Sequence, residues 1–195
     1  MERKRSELEQ HIVDTIKEWQ MKIGYREESM NLYYPEESLK EMLELSEDAS
    51  KEDVMRSLEH FSEEKRAEYG VLQISEKNGR YCITIPVKGC IYIHENEEDS
   101  AFLESFLRAV TDRVPSFDKV RSCFAAAAKQ SGETVCEQDH GTDGMGRVFY
   151  FYRSGNEECG SEGSEIDRYV YCVELDDFGM TYHRFTWKDY QKLLA

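Results

Sequence analysis

The spacing of apolar residues changes character twice along the chain. Leu8, Ile12, Ile16, Trp19 and Ile23 recur at intervals of three or four, which predicts an amphipathic helix that buries this stripe. Gly24 follows where a helix end favours a left-handed residue. Pro35 suits the first turn of a short helix carrying Leu39, Met42 and Leu43, and Tyr34 before it should be extended. Ser50-Lys51-Glu52-Asp53 reads as a capping box that opens a third helix with Val54, Leu58 and Phe61 on one face; Gly70 is its expected end. The period then falls to two. VLQISEKNGRYCITIP predicts two strands joined at Asn78-Gly79, the pair that a type I′ turn prefers, and CIYIHE (90–95) is a candidate third strand.

Helical spacing returns after Ser100, with Phe102, Leu103, Phe106, Leu107 and Val110. Beyond Pro115 it resumes with Phe117, Val120, Phe124 and Ala127. The last third predicts strands near 133–138, 147–153, 168–175 and 179–185. Thr186-Trp187-Lys188-Asp189 then caps a terminal helix with Tyr190, Leu193 and Leu194. Residues 154–166 are polar and Gly-rich, the composition of a mobile loop. Strands clustered apart from helices predict an α+β fold. In it, the N-terminal helices and the two central helices pack on an antiparallel or mixed sheet of about five to seven strands. At 195 residues the chain fits one domain, helical over 1–69 and strand-rich with two inserted helices over 70–195.

Composition narrows the function classes. Forty acidic against twenty-five basic residues give a net charge of −15, which argues against a nucleic-acid binder or a protein held to an anionic membrane. The acidity is uneven: 36–68 holds twelve acidic and five basic residues, net −7, whereas 104–130 carries net +2. An acidic surface of this kind fits a basic protein partner, as an acidic inhibitor or immunity protein would meet a basic toxin. The first residues, MERKRSELEQ, include basic side chains but lead into no apolar run, and the longest such run, Phe124–Ala128, is far too short for a membrane span. The expected location is the cytoplasm. There the six cysteines (Cys82, Cys90, Cys123, Cys136, Cys159, Cys172) should be reduced, and none has the C-x-x-C spacing of a zinc or redox site.

Four groups of residues carry candidate chemistry. Gly141-Thr142-Asp143-Gly144-Met145-Gly146 lies between strand-like runs, so it reads as a hairpin loop and not as a phosphate loop, which needs a following helix. Cys136, Asp139, His140 and Asp143 crowd one stretch but lack a second matched ligand pair, so a polar turn is favoured over a metal site. His183 with Glu174 and Arg184 is the arrangement nearest to an acid–base site, although no nucleophile motif supports it. Tyr150, Tyr152, Tyr169 and Tyr171 give a candidate aromatic binding surface if their sheet face is half exposed. No cofactor, metal or catalytic motif emerges. The leading expectation is a non-enzymatic protein-binding module; the alternative is an enzyme or ligand-binding protein with a pocket near His183, Arg184 and Glu174.

Three stretches carry a resemblance: Lys17-Glu18-Trp19-Gln20 with Gly24-Tyr25-Arg26, Leu32-Tyr33-Tyr34-Pro35, and Tyr182-His183-Arg184-Phe185-Thr186 with Asp189-Tyr190. Together the chain resembles an uncharacterised bacterial family, catalogued as a domain of unknown function, over nearly its whole length. The resemblance implies a bacterial cytoplasmic single-domain protein and no particular activity.

Overall fold

The computed structural model describes residues 5–142, 144–153 and 169–194. Asp143, Cys159, the first four residues and the expected loop at 154–166 lie outside the described residues. The chain is α+β: the described residues form eight helices and seven strands, and every strand pairing is antiparallel. The strands form two sheets, of three and four strands. The chain divides into two compact units, Met1–Asp99 and Ser100–Ala195.

In the first unit, α1 (Glu7–Ile23) starts at Ser6, whose side chain accepts the Glu9 backbone N–H. Leu8, Ile12 and Ile16 are fully buried as the stripe predicts, but Trp19 is half-buried and Ile23 is exposed. The stripe thus leaves the core over the last turn. β1 (Met30–Pro35) was visible in sequence only at Tyr34. It alternates, with Leu32 and Tyr34 inward and Tyr33 exposed, and pairs with β3 (Arg80–Ile85), which also pairs with β2 (Gln73–Lys77). The β2–β3 turn carries φ of 55° at Asn78 and 73° at Gly79, as a type I′ hairpin requires.

Between β1 and β2 lie α2 (Glu36–Met42), α3 (Lys51–Glu64) and the short α4 (Arg66–Tyr69). Ser50 and Asp53 close the expected capping box, but the helix they open ends at Glu64, short of the expected Gly70, which with φ 81° ends the separate α4 instead. α2 ends in a Schellman motif: the Glu44 N–H donates to the Glu41 carbonyl and the Leu45 N–H to the Lys40 carbonyl. The motif places Glu44 at φ 55°, where glycine is usual.

The expected strand at 90–95 is corrected. These residues belong to α5 (Val87–Asn96), which starts at Pro86. The Pro86 carbonyl accepts the N–H groups of Gly89 and Cys90, and Gly89, Cys90 and Ile93 are the buried positions, a helical interval. A β-carbon at Gly89 would stand 2.7 Å from Ile85 Cγ2 and 2.9 Å from the Tyr69 carbonyl, so glycine is what lets α5 approach this closely.

In the second unit, α6 (Ala101–Val110) and α7 (Phe117–Ser131) are capped by Ser100 and Ser116, and α7 ends on a left-handed Gly132. A four-stranded meander follows: β4 (Thr134–Asp139), β5 (Gly146–Arg153), β6 (Tyr169–Asp176) and β7 (Gly179–Thr186). α8 (Trp187–Leu194) opens where predicted, with Thr186 Oγ1 accepting the Asp189 N–H at 3.2 Å. The meander is covered on both faces. α6 and α7 lie on the tyrosine face, where Phe102, Phe106 and Phe124 meet Tyr150, Tyr152, Tyr171 and Tyr182. α8 lies on the other, packing Tyr190 and Trp187 against Phe149 and Phe151. Among the described residues, no helix is long and apolar enough to cross a membrane.

Candidate functional site

The structure corrects the expected aromatic surface. Tyr150, Tyr152, Tyr169 and Tyr171 are all at most 6% exposed. Their face is the one under α6 and α7, so the rings form core. The Tyr152 hydroxyl donates to the Phe124 carbonyl at 2.9 Å, and burial drives the Tyr150 phenol well above its ordinary pKa.

The expected acid–base trio is divided by strand alternation. Glu174 stands opposite Thr181 and His183 opposite Cys172, which places Glu174 and His183 on the α8 face as diagonal neighbours. Diagonal pairs across a ladder are about 7–8 Å apart. Arg184 lies on the tyrosine face instead, 4.6 Å from the centre of the Tyr169 ring. Arg147 takes the cation's place beside Glu174: it is in register with it, and its Nε and Nη2 both lie 2.6 Å from Oε1. Sequence reasoning missed Arg147, because register between β5 and β6 cannot be counted across the 154–168 interval. His140 extends the row, its N–H donating to the Arg147 carbonyl at 2.8 Å. The result is a polar strip, His140–Arg147–Glu174–Thr181, with His183 beside it. His140, Thr181 and His183 are exposed. Arg147 orients one oxygen of Glu174, and Oε2 has no hydrogen bond among the described residues. His183 shares the face of this carboxylate, but no hydrogen bond joins the two among the described residues, and an acid–base pair needs hydrogen-bond reach.

The glycine segment is the β4–β5 loop, with Thr142 and Met145 bridged, as the hairpin reading expects. Asp139 Oδ1 accepts the Gly141 N–H at 2.8 Å, a local turn contact. Cys136 instead packs against the apolar cluster under α8. Among the described residues, no three His, Cys, Asp or Glu side chains converge on a metal-sized site. The five described cysteines are free thiols. Cys90 and Cys172 are buried, which raises each pKa to about 11 and suppresses the reactive thiolate; Cys82, Cys123 and Cys136 are half-buried.

The acidic run maps onto α2, α3, the start of α4 and the turns between them. Each of its five basic groups already has a partner: Lys40 with Glu36 (3.0 Å), Lys51 with Glu76 (2.9 Å), Arg56 with Asp53 (3.1 Å), Arg66 with Glu63 (3.1 Å), and Lys65 with Glu9. Hydrogen bonds from Ser50 hold Asp53 below the usual carboxylate range. Glu37, Glu44, Glu47, Asp48, Glu52 and Glu59 are exposed and make no ion pair among the described residues.

One charged group has no signature in the sequence. Lys65 is 2% exposed and sits between Glu9 and Glu68, with the Tyr69 hydroxyl donating to Glu9 Oε1 at 3.2 Å. Burial first, and the Glu9 charge second, hold the Tyr69 phenol protonated far above its ordinary range. Arg5 pairs with Glu97, and Lys17 with Asp99 at 2.5 Å. The Lys65–Glu9, Arg5–Glu97 and Lys17–Asp99 pairs join separate segments of the first unit, and we call them its ionic staple.

Residues 5–194 match the family described as "Domain of unknown function, E. rectale Gene description (DUF3877)". No curated protein and no solved structure matches the chain.

Proposed function

The chain belongs to this family named for a bacterial gene description, and we propose that it is a non-enzymatic protein-binding module whose acidic surface on α2 and α3 captures a basic protein. The observation that carries this reading is the saturation of the local cations. Every Lys and Arg between 36 and 68 already faces at least one carboxylate, which leaves Glu37, Glu44, Glu47, Asp48, Glu52 and Glu59 to set the surface field. Exposed carboxylates of this density speed encounter with a positively charged partner and exclude nucleic acid. Glu44 supports the same reading. It occupies a left-handed backbone position at a helix C-terminus, where a glycine relieves strain and a cation suits the dipole. A carboxylate there works against stability on both counts. We place the protein in the cytoplasm, free of cofactor and metal.

The test is affinity capture from host lysate with the intact chain and with a Glu37→Gln, Glu44→Gln, Glu52→Gln, Glu59→Gln variant. The wild-type chain should retain a basic protein that is released as salt rises toward about 0.5 M, where the Debye length falls well below its physiological value of about 8 Å. The neutralised variant should lose it. Equal capture by both proteins, or capture insensitive to salt, overturns the reading.

A second reading rests on Glu174. The carboxylate held by Arg147 beside His183 supports a small-molecule site on the open part of the α8 face. His183→Gln separates the two readings.

A further inference from the structure

We propose that the β6–β7 hairpin is a docking knob, with Phe178 entering an apolar pocket that has a basic rim on a partner protein. The proposal rests on the protein-binding reading but places a contact in the second unit. Phe178 is 99% exposed, against 71% for Val114 and 66% for Tyr33. Isolated apolar residues on a surface are ordinary. A wholly exposed phenyl ring at the tip of a rigid turn is a different matter, because nothing in the hairpin needs it. The turn is built by Asp176, whose Oδ1 accepts the N–H groups of Phe178 at 2.8 Å and Gly179 at 3.2 Å, and by Gly179 with φ 132°. Turn formation calls for residues of the Asp and Gly kind, and the position between them accepts any small polar side chain. The same hydrogen bonds hold the Phe178 backbone in place, so little order is lost when the ring is covered. A preorganised aromatic anchor of this sort dominates binding when a partner pocket encloses it.

Charge defines the pocket. Asp177 is exposed beside the ring and has no ion pair among the described residues, and Asp176 adds a second carboxylate. An acidic rim around an apolar anchor is complementary to a pocket bordered by Lys or Arg. β7 is an edge strand of its sheet, so no neighbouring strand stands beside that side of the hairpin among the described residues.

The experiment places the photo-crosslinker p-benzoylphenylalanine at position 178 of the full chain, with the same residue at 114 as an exposed control and at 52 on the acidic surface. Irradiation in host lysate should give a protein adduct at 178 and none at 114. The crosslinked partner peptide should combine apolar residues with Lys or Arg. Excess wild-type chain should compete for the adduct, whereas Phe178→Ala should compete at least ~10-fold less well. Its melting curve should match the wild type, since the ring touches nothing. No adduct at 178, adducts only with further copies of this chain, or equal competition by Phe178→Ala would each overturn the knob. An adduct at 52 without one at 178 overturns the knob and leaves the acidic-surface reading standing. Loss of adducts at both removes both.

Discussion

The two units solve the burial problem in different ways. The three-stranded sheet of the first unit buries one face: Leu32, Tyr34, Tyr81, Ile83 and Ile85 point into an aliphatic core, while Tyr33 on the opposite face is 66% exposed. β1 and β3 therefore alternate between buried and accessible positions. The second unit buries both faces of its meander, and β6 begins with five consecutive buried residues. Its interior is a set of packed rings, whereas the first unit also encloses the charges of Glu9 and Lys65. The unit with the one-sided sheet encloses an ionic staple between its elements. A two-sided sheet filled with aromatics does not. The contrast predicts which unit yields to loss of volume and which to loss of charge.

The largest expected effect probes volume. Phe124 is fully buried and meets Phe102, Phe106, Tyr150, Tyr152 and Tyr171. Phe124→Ala should destabilise by about 3–5 kcal/mol, measured by urea unfolding. Hydrogen exchange should show the loss concentrated in β5 and β6. Equal loss of protection in α1 would break the distinction between the units.

The next effect probes charge. Glu9→Gln leaves Lys65 buried with only Glu68 nearby, at 3.7 Å, and should cost about 3 kcal/mol. Replacing both partners, Glu9→Leu with Lys65→Met, should recover most of that stability, because neither charge then needs compensation. If the double variant is no more stable than Glu9→Gln, the cluster is more than a staple.

Where one period ran uninterrupted and its partner strands were close in sequence, the elements could be read directly. All four meander strands fall within a residue or two of their expected bounds, and α6 starts after Ser100 as expected. The Asn78-Gly79 hairpin also stands where expected. Two segments resisted. Cys90, Ile91 and Ile93 are apolar at mixed spacing, and the deciding feature was Pro86, which starts a helix once β3 has ended. β1 is short, and its alternation has meaning only beside β3, some fifty residues later. The candidate site was half legible for a related reason. Parity along β7 separates His183 from Arg184, but choosing which face α6 and α7 cover requires tertiary structure, and this choice buried the four tyrosines. The Glu9–Lys65 pair joins α1 to the residue between α3 and α4, a contact that no local pattern encodes.

Trp19 sharpens this point at smaller amplitude. Helical periodicity places it in the core, where truncation would cost about 3–5 kcal/mol. It is instead half-buried near the end of α1, so Trp19→Ala should cost about 1–2 kcal/mol, while Ile12→Ala at the fully buried centre of the stripe should cost more. Thermal melting of the pair checks the order. Helix ends give a smaller contrast. α7 ends on left-handed Gly132, but α2 ends on Glu44 at φ 55°. Glu44→Gly should therefore stabilise by about 1 kcal/mol, with Gly132→Ala destabilising by a similar amount. If Glu44→Gly also weakens partner capture, stability has been exchanged for binding at that position.

The smallest expected effect on stability is at His183, and it bears most directly on function. The side chain is exposed on an edge strand, with the Phe185 ring 6.4 Å away. His183→Gln should change stability by no more than about 0.5 kcal/mol, as surface substitutions do. The variant therefore tests chemistry without a folding penalty. A binding module that works through α2, α3 and the Phe178 turn has no use for the imidazole, and partner capture should be unchanged. A site that uses His183 with Glu174 as its acid–base pair should lose about 10²–10⁴ in turnover when the imidazole is removed. Glu174→Gln should produce a matching loss on that reading, because the carboxylate held by Arg147 becomes an amide that cannot take up a proton. Melting curves, partner capture and a hydrolase and transferase substrate screen on both variants give the decision. Parallel loss of a wild-type activity in two folded proteins would replace the binding-module reading with the enzymatic one, whereas intact capture in both would confine function to the acidic surface and the hairpin tip.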